Sequence, residues 1–134
     1  MKNALIPAIR NVVPKDFEIL IDLIFRNSGL KRTSVIGEAM TFFDLVLEEP
    51  FSKKLHGVQI KSESSFNTYE SYVTKFLDNY TDGFDLFFYA VHTPDKKLED
   101  YKESRENIKL LHIAEIADKA IDAGLISWIM DKSK

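Results

Sequence analysis

The sequence predicts an α/β (α+β) fold in which helices flank a central mixed sheet of four to five strands. Three observations lead to this fold class. Residues 16–28 and 68–79 carry apolar side chains at helical spacing. Two strand-like runs, 42–47 and 57–62, are separated by a short, hairpin-like connection. Residues 84–92 are almost wholly apolar, which is typical of a central strand covered on both faces.

The first long helix is predicted for residues 16–28. Asp16, which follows Pro14, can cap its N-terminus, and Gly29 can adopt the left-handed conformation that ends many helices. The preceding residues 3–13 predict an additional short helix. The apolar side of the long helix consists of Phe17, Leu20, Ile21, Ile24 and Phe25.

Three strand candidates follow this helix in quick succession. Residues 33–39 give the weakest signal, 42–47 a stronger one, and 57–62 form the third candidate. Pro50 lies near the bend between the last two, so the pattern favours a hairpin there.

The third strand candidate carries the most informative pattern of the chain. Val58 and Ile60 alternate with Gln59 and Lys61, which predicts a half-buried strand with one apolar and one polar face. An amide and an amine on one face, beside a strand that begins with the carboxylate of Asp44, are groups that a hydrolytic metal site needs. Taken alone, the same pair of polar residues is equally typical of the solvated face of an edge strand.

The last forty residues predict further helices and a further strand. Residues 95–106 are highly charged and indicate a loop or a solvated helix. Residues 108–113 predict another strand, and 114–123 predict a helix that ends at Gly124. Residues 125–130 form a last apolar turn or helix.

The composition is that of an ordinary globular protein, with 134 residues of which 45% are hydrophobic and 29% charged. This length corresponds to a single domain, residues 1–134. The chain has no cysteine, which excludes disulfides, thiolate zinc sites and cysteine nucleophiles. Without a signal-like segment or an apolar run of membrane-spanning length, we expect a cytoplasmic protein with no membrane partner.

The net charge and the remaining motifs limit the kinds of binding site that this sequence can form. The net charge is −3, so a nucleic-acid partner has to be bound by a local basic patch rather than by the overall field. His56, His92 and His112 lack metal-ligand spacing, and we expect them to be exposed or to have satisfied hydrogen bonds. No glycine-rich phosphate-binding loop is present, so nothing indicates nucleotide hydrolysis or dinucleotide binding.

Several short elements, taken in their order, match a known family. They are Phe17-Glu18 in the first helix, Gly29 at its end, Asp44 at the opening of a strand, Gln59-Ile60-Lys61 in the next strand, and the segment 123–129. With these elements the chain resembles the PD-(D/E)xK nuclease superfamily, and within it the Mrr-type restriction endonucleases and the archaeal Holliday-junction resolvases. The resemblance covers most of the chain from Lys15 onward.

The resemblance implies a restriction endonuclease-like fold and a metal-dependent DNA endonuclease, restriction-type or resolvase-like, that hydrolyses phosphodiester bonds. In such an enzyme Asp44, the Gln59 side chain and the backbone carbonyl of Ile60 would bind Mg²⁺ or Mn²⁺. Lys61 would contact the attacking water or the scissile phosphate. Mg²⁺ prefers oxygen ligands and commonly completes its shell with water and substrate phosphate.

Further residues complete the site that the resemblance implies. Glu18 on the first helix is the preferred additional carboxylate, because its place in that helix matches the family, and Glu38 is its competitor. Lys53, Lys54 and Ser62 are candidate contacts to DNA, with a solvated surface as the alternative. Because a stand-alone nuclease domain generally needs a second copy or a partner protein to cut both strands, we expect a homodimer or a partner.

Two departures from the family pattern leave a second function open. Gln59 stands where Glu is commoner, and residues 41–43 are larger than the small residues usual before the aspartate of Mrr-type members. Since Asp44 and Lys61 then balance to zero charge, we expect weak metal binding until phosphate or another carboxylate joins the shell. The alternative is a catalytically silent member of the fold that serves as a binding or regulatory module.

Overall fold

The computed structural model describes residues 1–35, 37 and 39–134. Its helices are α1 (Lys2–Asn11), α2 (Pro14–Asn27), α3 (Ala39–Phe42), α4 (Phe66–Asn79), α5 (Lys96–Asp100), α6 (Ile113–Asp122) and α7 (Ile126–Lys132). Its strands are β1 (Lys31–Thr33), β2 (Leu45–Glu48), β3 (Leu55–Ser64), β4 (Leu86–Pro94) and β5 (Ile108–Leu111). Among the described residues, no helix is both long and apolar enough to cross a membrane.

The five strands form one mixed sheet in the order β1-β2-β3-β4-β5. β1, β2 and β3 pair antiparallel, whereas β3 with β4 and β4 with β5 pair parallel. Each parallel connection crosses over through a helix, α4 between β3 and β4 and α5 between β4 and β5. The α+β class with a five-stranded mixed sheet flanked by helices is confirmed.

Two different layers cover the sheet. The aliphatic layer is formed by α1, α2, α6 and α7 against one face, and its buried residues include Leu5, Ile9, Leu20, Ile21, Leu45, Leu47, Val58, Ile60, Ala117 and Ile129. The aromatic layer is formed by α3, α4 and α5 against the other face, and it includes Phe42, Phe43, Tyr69, Tyr72, Phe76, Tyr80, Phe87 and Tyr89. The core of the molecule thus consists of two halves with the sheet between them.

Two predicted strands are shorter than expected. Of the described residues in 33–39, only Thr33 belongs to a strand, and Ala39 already begins α3. The backbone of Gly37 has a φ of 107°, which interrupts an extended conformation. The predicted strand 42–47 begins only at Leu45, so Asp44 directly precedes β2 instead of opening it. Residues 36 and 38 lie outside the described part of the chain.

The prediction of a half-buried third strand is wrong. The residues of β3 from His56 to Ile60 are all buried, and Gln59 is only 2% exposed. The reason is that β3 is the middle strand of the sheet and lies under helices on both faces. The polar side chain of Gln59 is therefore enclosed by a helical layer.

Candidate functional site

Asp44 is fixed between α3 and β2 by two hydrogen bonds to β3. Its backbone N–H donates to the carbonyl of Val58 at 2.9 Å. Its side-chain Oδ2 accepts from the backbone N–H of Ile60 at 2.7 Å. The side chain is nevertheless exposed, whereas its neighbours Phe43 and Leu45 are buried and anchor the chain on either side. The structure therefore places the Asp44 carboxylate directly at the Gln59-Ile60-Lys61 triplet.

Gly57 explains how the chain can approach β3 this closely. A Cβ atom at position 57 would lie 2.2 Å from the ring of Phe43, far inside contact distance. The absent side chain lets the Phe43 ring lie against β3 within the aromatic layer. Phe43 immediately precedes Asp44, so this contact helps to position the carboxylate.

Gln59 is held by a contact inside the protein. Its Nε2 donates a hydrogen bond to the backbone carbonyl of Phe42 at the end of α3. In the parallel register Gln59 lies beside Tyr89 of β4, which belongs to the aromatic layer. The side chain predicted as a metal ligand thus joins α3 to the middle of the sheet.

Lys61 also has an internal partner. Its Nζ donates to the hydroxyl of Tyr72 on α4 at 3.0 Å and lies 4.7 Å from the centroid of the same ring. Both a hydrogen bond and a cation–π contact therefore hold the ammonium group. For Lys61 to contact a substrate phosphate, its side chain has to move away from Tyr72.

The space beside Asp44 is an open pocket of about 200 Å³ between α2, β1 and β2. Its polar lining combines three acidic and two basic side chains, namely Asp44, Glu18, Asp22, Lys15 and Arg32. The structure therefore brings Glu18 and Asp44 to one pocket. Neither Gln59 nor Lys61 is among the described residues that line it.

Ion pairs inside this pocket are few. Oδ2 of Asp22 lies 3.4 Å from a guanidinium nitrogen of Arg26 and 3.7 Å from Nη1 of Arg32. The side chains of Glu18 and Lys15 make no hydrogen bond or ion pair with the residues that the structure describes. The pocket thus exposes one carboxylate and one ammonium group that are free for a ligand.

A buried hydroxyl pair lies near the triplet on the aromatic side. The hydroxyls of Tyr89 and Ser64 are 2.7 Å apart. Burial raises the pKa of Tyr89 to about 12; the hydrogen bond with Ser64 opposes this rise, while the charge of Asp44 adds to it. The phenol therefore stays neutral and acts only as a hydrogen-bonding group at ordinary pH.

The predicted DNA contacts lie away from the pocket. Lys53 and Lys54 are in the turn between β2 and β3, at the opposite end of β2 from Asp44. Four strand residues separate them from Asp44, a distance of roughly 13 Å along the strand. Ser62 follows Lys61 in β3 and points to the opposite face of the sheet, but it is not among the described residues that line the pocket. Glu38, the competitor of Glu18, lies outside the described residues.

His92 departs from the expectation that each histidine is either exposed or has its hydrogen bonds satisfied. It is 5% exposed, and its Nε2 has no partner among the described residues, although Nδ1 lies 2.7 Å from Oγ1 of Thr93. Burial beside Phe17 in the aliphatic layer explains the difference, because that layer offers few hydrogen-bonding groups. His56 and His112 each have a hydrogen-bond partner, as expected.

The donor atoms of the pocket fit Mg²⁺ in type. Asp44 and Glu18 supply carboxylate oxygens, and Mg²⁺ is usually bound by one or two carboxylates plus water and phosphate. No group of three or more His, Asp or Glu in the described ranges is arranged to hold a metal ion. Any ion bound here would therefore take much of its shell from water and substrate.

Sequence reasoning missed two basic residues of the pocket and one partner of the triplet. Lys15 precedes Glu18 by three positions, so helical spacing alone could have placed them together. Arg32 gives no such signal, because its position depends on the pairing of β1 with β2. The hydroxyl contact of Tyr72 with Lys61 depends on how α4 covers β3, so it was not foreseen.

Comparison of the chain with protein-family models, with curated proteins and with solved structures gave no match.

Proposed function

We propose that this protein is a metal-dependent DNA endonuclease with a restriction endonuclease-like fold. The observation that carries the proposal is the 2.7 Å hydrogen bond from the backbone of Ile60 to the Asp44 carboxylate. It joins two elements that are 16 residues apart in sequence, Asp44 and the Gln59-Ile60-Lys61 triplet. In the resemblance noted above, these two elements form the catalytic centre.

The order and pairing of elements support the same proposal. A long helix precedes three antiparallel strands, and a crossover helix then leads to a parallel fourth strand. This arrangement places the start of β2 beside the middle of β3, so a carboxylate at position 44 meets the triplet. It also packs α2 against β3, which brings Glu18 to the pocket beside Asp44.

Each residue of the proposed site has a separate role. Asp44 and Glu18 would hold Mg²⁺ or Mn²⁺ at the pocket. Gln59 and the carbonyl of Ile60 are the further ligands that the resemblance implies, and Gln59 would have to leave its hydrogen bond with Phe42 to join them. The metal would supply Lewis-acid activation of the phosphodiester and of water. Because Ile60 fixes the Asp44 carboxylate, little reorganisation is needed for that group to act. Lys61, once released from Tyr72, donates to the phosphate or to the attacking water.

The test compares Asp44→Asn with Asp85→Asn on supercoiled and branched DNA in Mg²⁺ or Mn²⁺. Asn keeps an oxygen that can accept from Ile60 but removes the charge, so the fold is retained while cleavage falls by at least about 100-fold. Asp85 is exposed and lies outside the pocket, so its substitution leaves the rate unchanged. Lys61→Ala is also expected to lower the rate. Equal cleavage by the wild type and both Asp44 and Lys61 variants would overturn the proposal.

A second function is favoured by a specific observation. The amide of Gln59 is engaged by Phe42 and the ammonium of Lys61 by Tyr72. Residues held in this way suit a catalytically silent binding or regulatory module of the same fold. Wild-type protein that binds DNA but neither cuts it nor shows a Mg²⁺-dependent rise in thermal unfolding temperature would support this alternative.

A further inference from the structure

Building on the nuclease proposal, we propose that Lys15 and Arg32 are the residues that bind the phosphodiester backbone of the substrate at the Asp44 pocket. The ligand class is a nucleic-acid strand, and the phosphate bound by Lys15 and Arg32 would be the neighbour of the scissile phosphate that a metal ion at Asp44 and Glu18 would contact. The basic residues of the β2–β3 turn, Lys53 and Lys54, lie too far along β2 to serve this pocket.

Strand register and helical spacing both direct these side chains to the pocket. Arg32 of β1 is paired with Leu47 of β2, and Leu47 points into the aliphatic layer. Directly opposed residues share a face of the sheet, so Arg32 points towards α2. Lys15 lies in the first turn of α2, three residues before Glu18 and on the same side of that helix.

The donors of Arg32 remain available to a ligand. Its Nη1 lies 3.7 Å from Asp22, a separation that orients the guanidinium by charge but is too long for a hydrogen bond. The side chain is 59% exposed, so binding a phosphate there requires little desolvation. A planar guanidinium with free N–H groups suits bidentate contact with phosphate oxygens.

Charge balance gives these two residues a distinct role. Glu18, Asp22 and Asp44 make the pocket acidic, and the whole chain has a net charge of −3. A polyanion is repelled by such a pocket unless cations on its rim offset the carboxylates. Lys15 and Arg32 are the cations among the described lining residues, and Lys15 has no ion pair with any described residue.

The test compares Arg32→Ala with Arg26→Ala, two arginines that contact the same carboxylate of Asp22. Arg26 is not among the described residues that line the pocket, so it controls for lost charge and for disturbance of Asp22. Binding of a fluorescently labelled DNA duplex is measured by anisotropy with Ca²⁺ in place of Mg²⁺, at several salt concentrations. Matching thermal unfolding temperatures establish that both variants are folded.

Arg32→Ala is expected to weaken binding about tenfold and to reduce the slope of log K against log salt by about 0.9, as for one lost phosphate contact. Lys15→Ala is expected to behave in the same way, while Arg26→Ala stays within about twofold of the wild type. Equal affinities and slopes for the Arg32 and Arg26 variants would overturn the inference, as would a wild type that binds no DNA.

The binding and cleavage measurements together distinguish failure of the phosphate contact from failure of the nuclease proposal. If the wild type cleaves DNA and the two arginine variants bind it equally, the phosphate contact is refuted and the nuclease proposal is retained. The Arg32-specific loss of binding in a protein that never cuts DNA supports the phosphate contact and refutes the nuclease.

Discussion

The two faces of the sheet are covered by layers of different chemistry. In the aliphatic layer the buried His92 keeps an Nε2 that has no partner among the described residues. In the aromatic layer tyrosine hydroxyls bind Lys61, Ser64 and Glu103, the last at 2.5 Å from Tyr69. Polar side chains near the core are therefore accommodated where tyrosines of α4 and β4 supply hydroxyl groups. The polar residues of the triplet face that layer.

The largest expected effect tests the packing of the aromatic layer. Phe87 is fully buried and stacks on Phe76, with ring centroids 5.0 Å apart. Phe87→Ala is expected to lower the free energy of unfolding by about 3–5 kcal/mol, because a large cavity is left in a close-packed layer. Phe51 is 95% exposed, so Phe51→Ala stays within about 0.5 kcal/mol of the wild type. Urea unfolding measures both values, and similar losses would contradict the picture of a tightly packed layer.

A smaller effect tests the contact of the aromatic layer with β3. Gly57→Ala forces its new Cβ against Phe43 and is expected to cost about 1–3 kcal/mol. Gly83→Ala, where no atom lies within 4 Å of the new Cβ, is expected to be neutral or slightly stabilising. In the Gly57→Ala background, Phe43→Leu should recover part of the loss by providing space. Additive losses in the double variant would show that the two residues do not interact.

The remaining expected effects are two pH dependences, one from each layer. Burial lowers the pKa of His92 below 6.5, so its contribution to stability is present above pH 6.5 and is lost as the pH falls below it. Burial alone would raise the pKa of Glu103, but hydrogen bonds from Arg105 and Tyr69 outweigh it and hold the pKa at about 2. The contribution of Glu103 is therefore present above pH 4.5 and is lost between pH 4.5 and 2.

Denaturant unfolding of the wild type, His92→Gln and Glu103→Gln at a series of pH values separates these effects. His92→Gln should flatten the stability curve as the pH falls below 6.5. The slope that remains there belongs to His56, whose pKa is lowered by burial as well. Glu103→Gln should flatten the curve only below pH 4.5. Unchanged curves in both variants would contradict the assignment of the two pKa shifts.

Local patterns were sufficient to predict most elements of the fold. The apolar spacing of α2 and α4 and the continuous apolar run of β4 are determined by residues close in sequence, and their positions were correct within a few residues. The burial of Gln59 could not be predicted, because it depends on which helices cover β3. The convergence of Asp44 with Glu18 was expected only through the order of short motifs. The role of Arg32 in the pocket depends on a strand pairing that the sequence does not reveal.

The packing of α1 has a consequence for the order in which the protein folds. This first helix contacts α6 and α7, and Asn11 hydrogen-bonds the carbonyl of Ser133 across 122 positions of sequence. Leu5 and Ile9 are therefore fully covered only when these distant helices are in place, whereas the β2–β3 hairpin joins residues that are close in sequence. Because contacts between distant residues form more slowly than local ones, we expect the hairpin to form before the aliphatic layer is complete.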